Sequence, residues 1–191
     1  MKQAGLTVEL TKAEREEMAD RYHFERAQLP QITALYEATL PLLRVQACFE
    51  TAAPAYGHER SVFCAVTLGE TFDAMQALYS DAGAMSETYF LECIGNTLLE
   101  KACQRLGDML REETGLSLER LEFPGTHIPM EQMADMIQAL AAGQTEFIVT
   151  CSEVYVLRPK KSVVFRGILG ETCGEQNICA NCPRKECENR R

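Results

Sequence analysis

The chain has 191 residues, 46% of them apolar and 25% charged, with a net charge of −9 and nine cysteines. That size and composition suit one globular domain with a core large enough to need no covalent staples. The acidic balance argues against nucleic acid as the main partner, because phosphate binding needs dense positive charge.

The opening segment reaches charge at Lys2 and Glu9, too soon for the apolar core of a signal peptide. No later apolar run approaches the roughly 18 residues of a membrane span. An odd cysteine count without a secretion signal points to thiols or metal in a reducing compartment, so a cytoplasmic location is expected.

Thr11-Lys12-Ala13-Glu14 has capping-box spacing and predicts a helix to about Tyr22. A second helix is expected over Gln28–Leu40, with Pro30 in its first turn. Leu43–Thr51 and Ser61–Leu68 read as strands separated by a turn through Pro54 and Gly57. A helix over Thr71–Tyr79 is broken by Asp81-Ala82-Gly83, and a longer one is expected from about Ala84 to Glu113. In it Phe90, Ile94, Leu98, Ala102, Leu106 and Leu110 step by four along one face. Gly95 interrupts this helix at a cost of about 1 kcal/mol relative to Ala, and either permits a close backbone approach or is simply tolerated.

Leu118–Phe123 reads as extended and Pro124-Gly125 as a turn. Pro129 suits a helix start, Met130, Met133, Ile137 and Leu140 its buried stripe, and Gly143 its end. Two β-rich stretches, Glu146–Leu157 and Ser162–Leu169, are joined by Arg158-Pro159-Lys160-Lys161. Strands in succession without a helix between them favour antiparallel pairing. The expected fold is α+β, with helices packed on a mainly antiparallel sheet. Residues 1–42 read as an N-terminal helical segment, 43–170 as the α+β domain and 171–191 as a cysteine-rich tail.

Cys173, Cys179, Cys182 and Cys187 follow the spacing C-x5-C-x2-C-x4-C, with Gly174, Asn177, Asn181 and Pro183 favouring tight turns between them. Four thiolates within so short and polar a segment point to a metal site, whose ligand would supply the missing folding energy. Zinc and an iron–sulfur cluster both accept such a set. In this tail Arg184, Lys185, Arg190 and Arg191 outnumber Glu175, Glu186 and Glu188 by one, which leaves −10 on the other 172 residues. Such an acidic body favours a basic or neutral protein partner. Cys48, Cys64, Cys93, Cys103 and Cys151 read as small buried hydrophobes.

His23, His58 and His127 form no ligand pair and read as surface or capping residues, with His127 notable for following Pro124-Gly125. Glu14, Glu16 and Glu17 read as a solvated helix face. Lys160-Lys161 reads as a turn between strands. No phosphate loop, nucleophile elbow or paired carboxylates argue for a hydrolase or a kinase.

Val66-Thr67-Leu68-Gly69, Glu92-Cys93-Ile94-Gly95, Pro124-Gly125 and Pro159-Lys160-Lys161-Ser162-Val163 stand in an order that resembles stand-alone bacterial proteins similar to the activation domain of cobalamin-dependent methionine synthase. The resemblance spans about 43–191. It implies a mixed helix-and-sheet domain that binds S-adenosylmethionine and docks on a corrinoid-carrying protein. There cobalt(II) is reduced by one electron and remethylated from S-adenosylmethionine. It further implies ligand contacts from Glu153 and Tyr155, and from Arg120, Pro124 and Gly125, although Thr126 stands where the family motif has tyrosine. Cobalt reduction needs a strong one-electron donor, which zinc cannot be, so the resemblance favours iron–sulfur over zinc in the tail. Three functions are therefore weighed: an activator of a corrinoid methyltransferase, a non-catalytic adaptor with a zinc tail, and an S-adenosylmethionine-binding methyltransferase or sensor.

Overall fold

The computed structural model describes residues 2–51, 60–142 and 148–172. Its centre is an antiparallel sheet in the order β1-β2-β3-β7-β4. The strands are β1 (Lys2–Gly5), β2 (Gln46–Thr51), β3 (Ser61–Thr67), β4 (Ser117–Glu122) and β7 (Ser162–Gly170). Side chains alternate across it as a pleated strand requires. Ala47, Phe49, Val62, Cys64, Val66 and Phe165 join the larger core on one face. Cys48, Phe63, Ala65 and Val164 join a smaller core on the other.

The larger core is covered by α1 (Lys12–Arg21), α2 (Leu29–Thr39), α3 (Glu70–Asp81) and α4 (Met85–Thr114). The predicted stripe of α4, from Phe90 to Leu110, is 2% exposed or less at every position. Thr11 and Glu14 form the expected capping box, and Pro30 sits in the first turn of α2. Gly95 does permit a close approach: a Cβ there would lie 2.6 Å from Cζ of Phe72. Residues 2–42 share this sheet and core, since β1 pairs with β2 while Met18, Ile32 and Leu35 are buried in it.

The smaller core is covered by α5 (Gln132–Ala141), where Met133, Met136 and Leu140 are the buried residues. This helix starts three residues after Pro129, because Pro129–Glu131 first forms a turn with Gln132 N–H donating to the Pro129 carbonyl. In the β-rich stretch expected over Glu146–Leu157, the described residues form two short strands, β5 (Thr150–Cys151) and β6 (Leu157–Arg158). They pair as a separate two-stranded ribbon. Among the described residues no helix is long and apolar enough to cross a membrane.

Candidate functional site

Three of the sequence segments singled out above meet where α3, α4 and the start of β7 converge. Lys161 is buried, and its Nζ donates to the Glu92 carboxylate and, at 2.7 Å, to Oδ1 of Asn96. The second Glu92 oxygen accepts from Gln76 Nε2 at 2.8 Å. Asp73, in the first turn of α3, accepts from the backbone N–H groups of Lys160 and Lys161. The Lys161 carbonyl in turn accepts from Leu68 N–H at 2.9 Å, and Ser162 Oγ donates to Thr67 Oγ1 at 2.8 Å. Burial opposes ionisation of Glu92, but the Gln76 and Lys161 hydrogen bonds and the lysine charge outweigh it and hold its carboxyl below the usual range. These partners consume the polar groups of the cluster, which is what a structural clasp requires. Asp73, Gln76 and Asn96 carried no signal in the sequence; only the fold brings them to Lys161.

Of the residues expected to hold a ligand, Arg120 lies across from Ile168 on β7, while Pro124 and Gly125 follow the end of β4. Because β4 pairs with β7 from Ser117–Gly170 to Glu122–Arg166, it delivers the loop after Glu122 toward the Ser162 end of the sheet. Gly125 there has φ +77° and its N–H donates to the Ile128 carbonyl at 2.8 Å, closing a tight turn. His127 is exposed, and its Nδ1 accepts from Phe123 N–H at 3.1 Å, so it caps this turn as a surface histidine. Met130 lies against Gly125, where a Cβ would come 2.5 Å from its Cε. Three residues further on, Met133 Sδ stands 3.7 Å from Cys151 Sγ. The first turns around α5 thus connect the Pro124-Gly125 loop to the ribbon that carries Glu153 and Tyr155.

Ser152-Glu153-Val154-Tyr155 is a turn rather than a continuation of the β-rich stretch expected over Glu146–Leu157. Tyr155 N–H donates to the Ser152 carbonyl at 2.9 Å, and Ser152 N–H to the Val156 carbonyl at 3.0 Å. Tyr155 adopts φ +60°. Glu153 is exposed at the turn and Tyr155 is half-buried.

Arg120 is exposed on β4 and pairs with Glu122 Oε1 at 3.0 Å. The other Glu122 oxygen accepts from Arg166 Nε at 2.7 Å. Both Glu122 and Arg166 were absent from the sequence reading. Gln132, at the start of α5, has a buried Oε1 that no donor among the described residues reaches.

Cys173, Cys179, Cys182, Cys187 and His58 lie outside the described residues. Among the described residues, no group of three or more His, Cys, Asp or Glu side chains is arranged to hold a metal ion. Burial pushes the Cys48 and Cys103 thiols up to about 12 and Cys93 to about 11, and raises Cys64 well above its ordinary value. Such thiols are poor nucleophiles and poor ligands, consistent with core roles. Cys151 differs from that expectation: it is only half-buried, at the rim of the smaller core. Glu14 also departs from the solvated face expected for it, bonding Lys101 Nζ at 2.6 Å.

No protein-family model matches the sequence, and no curated protein matches it. Among solved structures, the chain is similar to the MetH reactivation domain bound to AdoHcy, with a TM-score of 0.64 and 9% sequence identity. The likeness covers 87% of this chain and 77% of that one. The protein is an α+β domain with the fold of the MetH reactivation domain.

Proposed function

We propose that this protein is an accessory factor for reductive activation of a corrinoid-dependent methyltransferase, and that it binds S-adenosylmethionine or its demethylated product at the end of the sheet described above. The observation that carries this reading is the fold likeness to a MetH reactivation domain that binds AdoHcy. The local chemistry is compatible with such a ligand. An aminoacyl-sulfonium molecule needs an acceptor for its ammonium, a cation for its carboxylate and apolar or aromatic surface for its nucleoside. Glu153 and the orphan Gln132 Oε1 offer acceptors, and Tyr155 offers a ring. Arg120 can turn to a ligand carboxylate without stranding Glu122, because Arg166 keeps hold of the other Glu122 oxygen. Pro124 and Gly125 would shape the wall between them.

When bound, S-adenosylmethionine supplies an electrophilic methyl group. Glu153 and Arg120 fix its aminoacyl end by charge, Tyr155 covers its flat end, and the acidic body steers a basic or neutral partner protein. In this reading the partner carries the corrinoid, and Cys173, Cys179, Cys182 and Cys187 would hold an iron–sulfur cluster, which would supply one-electron chemistry.

Calorimetric titration with S-adenosylmethionine and AdoHcy tests the ligand. Saturable binding that weakens about tenfold or more in Glu153→Ala is expected, whereas no binding of either compound overturns this part. Iron and sulfide in anaerobically purified protein, with a reducible visible band, are expected for the tail. Stoichiometric zinc alone would overturn electron donation and make the protein an adaptor. Tight ligand binding without association to any corrinoid protein would make it a methyltransferase or a sensor.

A further inference from the structure

A polar cavity of about 70 Å³ opens between α1 and α4, among side chains of both helices. Glu100 of α4 lines it and is the residue whose placement calls for a reason. It is only 7% exposed, unusual for a carboxylate, and its Oε2 accepts from Arg21 Nη1 at 2.9 Å. Its Oε1 is buried as well, and no donor among the described residues reaches it. A buried carboxylate oxygen left without a donor costs more than a typical hydrogen bond contributes. The helices therefore hold an acceptor ready for a donor that the described residues do not provide.

The groups around Glu100 define that donor. Glu14 is satisfied within the cavity wall, since its two oxygens accept from Lys101 Nζ at 2.6 and 2.7 Å and the two charges cancel. The carboxylates that remain in the lining are Glu17 and Glu100, against the one guanidinium of Arg21 bonded to Glu100. The neighbouring cations are engaged elsewhere. Arg15 lies over the Tyr36 ring with Nη1 on the Leu10 carbonyl, Lys12 pairs with Glu16, and Arg105 pairs with Asp108. An excess of one negative charge is left at the cavity. Its wall also offers acceptors rather than donors. Thr97 Oγ1 donates its proton to the Cys93 carbonyl at 2.9 Å and keeps its lone pairs, and the exposed Gln104 can turn its amide oxygen inward. The carboxylates are not arranged to hold a metal ion, and the space admits about five non-hydrogen atoms. What fits is a cation with several N–H donors and a small body.

We propose that the cavity between α1 and α4 binds a small primary ammonium ion, whose N–H groups donate to Glu100 Oε1, Thr97 Oγ1 and the Gln104 amide oxygen while Glu17 balances its charge. The ion supplies the donor that Glu100 lacks and, by binding only the folded chain, stabilises it. No residue of the proposed S-adenosylmethionine site lines this cavity, so the two readings stand or fall separately.

The test uses the full chain at neutral pH and constant ionic strength, with methylammonium chloride as the probe. Calorimetric titration is expected to show saturable binding, and at about tenfold excess over the Kd the thermal midpoint is expected to rise by about 3–5 °C. Tetramethylammonium, which has the charge but no N–H, is expected to do neither. Absence of saturable methylammonium binding would overturn the proposal. So would an equal response to tetramethylammonium or sodium, which would mean that any cation screens the acidic surface. Glu100→Gln is expected to weaken methylammonium binding about tenfold or more. Because that change also removes the charge partner of Arg21 and can unfold the chain, Gln104→Lys is the second variant. At this exposed helical position a lysine follows Glu100 by four residues, the favourable order for such a pair, and brings its own ammonium to the cavity. It is expected to abolish the methylammonium response in a folded protein. Wild-type methylammonium affinity in Gln104→Lys would place the ion elsewhere and overturn the site.

Discussion

Two polar regions, the cluster around Lys161 and the 152–156 tip, lie in the chain just ahead of β7, and they are finished in opposite ways. Around Lys161 every neighbouring element contributes a partner: Glu92 and Asn96 from α4, Asp73 and Gln76 from α3, and Leu68 from the end of β3. Around the 152–156 tip the bonds are local, the tyrosine backbone is strained, and the valines face solvent. The first region closes the fold on itself. The second keeps apolar and charged groups available at a cost to stability, as recognition surfaces do. The family resemblance rests on residues of the first region and implies ligand contacts in the second, so likeness of motif alone does not separate scaffold from site. Partner satisfaction does.

The largest expected effect breaks the closed region. Lys161→Ala removes the cation from Glu92, which is only partly able to rehydrate, and empties the space its stem fills beside Gly95. A loss of about 2–3 kcal/mol in urea unfolding is expected, below the usual cost of breaking a fully buried pair because the Glu92 side chain is 43% exposed. Lys161→Met keeps the stem and should recover part of that loss, separating packing from charge. A cost under about 0.5 kcal/mol for Lys161→Ala would mean that the cluster is no clasp.

The contrast also explains how much the sequence disclosed. Elements with strong periodicity were legible: the four-residue step from Phe90 to Leu110 placed α4, and the Val- and Phe-rich runs placed β3 and β7. The capping box at Thr11–Glu14 fixed the start of α1. The edge strand β1 was not legible, because Lys2-Gln3-Ala4-Gly5 has no apolar alternation and is held by backbone pairing to β2. The ribbon departs from its expected strand for a different reason. Phe147-Ile148-Val149 and Val154-Tyr155-Val156 have the β-propensity of one long strand, and nothing in the residue types announces a left-handed tyrosine. Glu122, Arg166 and Gln132 escaped notice since their roles arise from register and from the start of α5, which a linear reading does not contain.

A smaller effect sharpens the distinction between a bonded surface charge and the buried clasp. Glu14 accepts from Lys101 Nζ and from Thr11 N–H, and the Lys101 hydrogen bond is the main cause that lowers its pKa to about 2 from 4.5. A depressed carboxyl contributes stability that is complete above its unfolded value and is lost as pH falls from about 4.5 through about 2. Its side chain is 37% exposed, so solvent screening reduces the contribution to on the order of 1 kcal/mol. Thermal midpoints of wild type and Glu14→Gln should therefore differ at pH 7 and converge toward pH 2. Parallel curves across that window would show that Lys101 contributes nothing through Glu14.

The smallest effect is the most informative, because its sign opposes the first. Tyr155→Gly relieves a left-handed backbone that costs about 1–2 kcal/mol in a residue with a Cβ. Glycine returns part of that gain through the greater freedom of the unfolded chain, about 0.5–1 kcal/mol. A net stabilisation of about 0.5 kcal/mol is expected, read as a higher midpoint in urea. The same variant should bind AdoHcy less well, since it removes the ring. Gain in one measurement with loss in the other identifies a residue kept for contact at the expense of the fold. Loss of stability instead would place the Tyr155 ring among the packing that supports the ribbon, and the open region would then belong with the closed one.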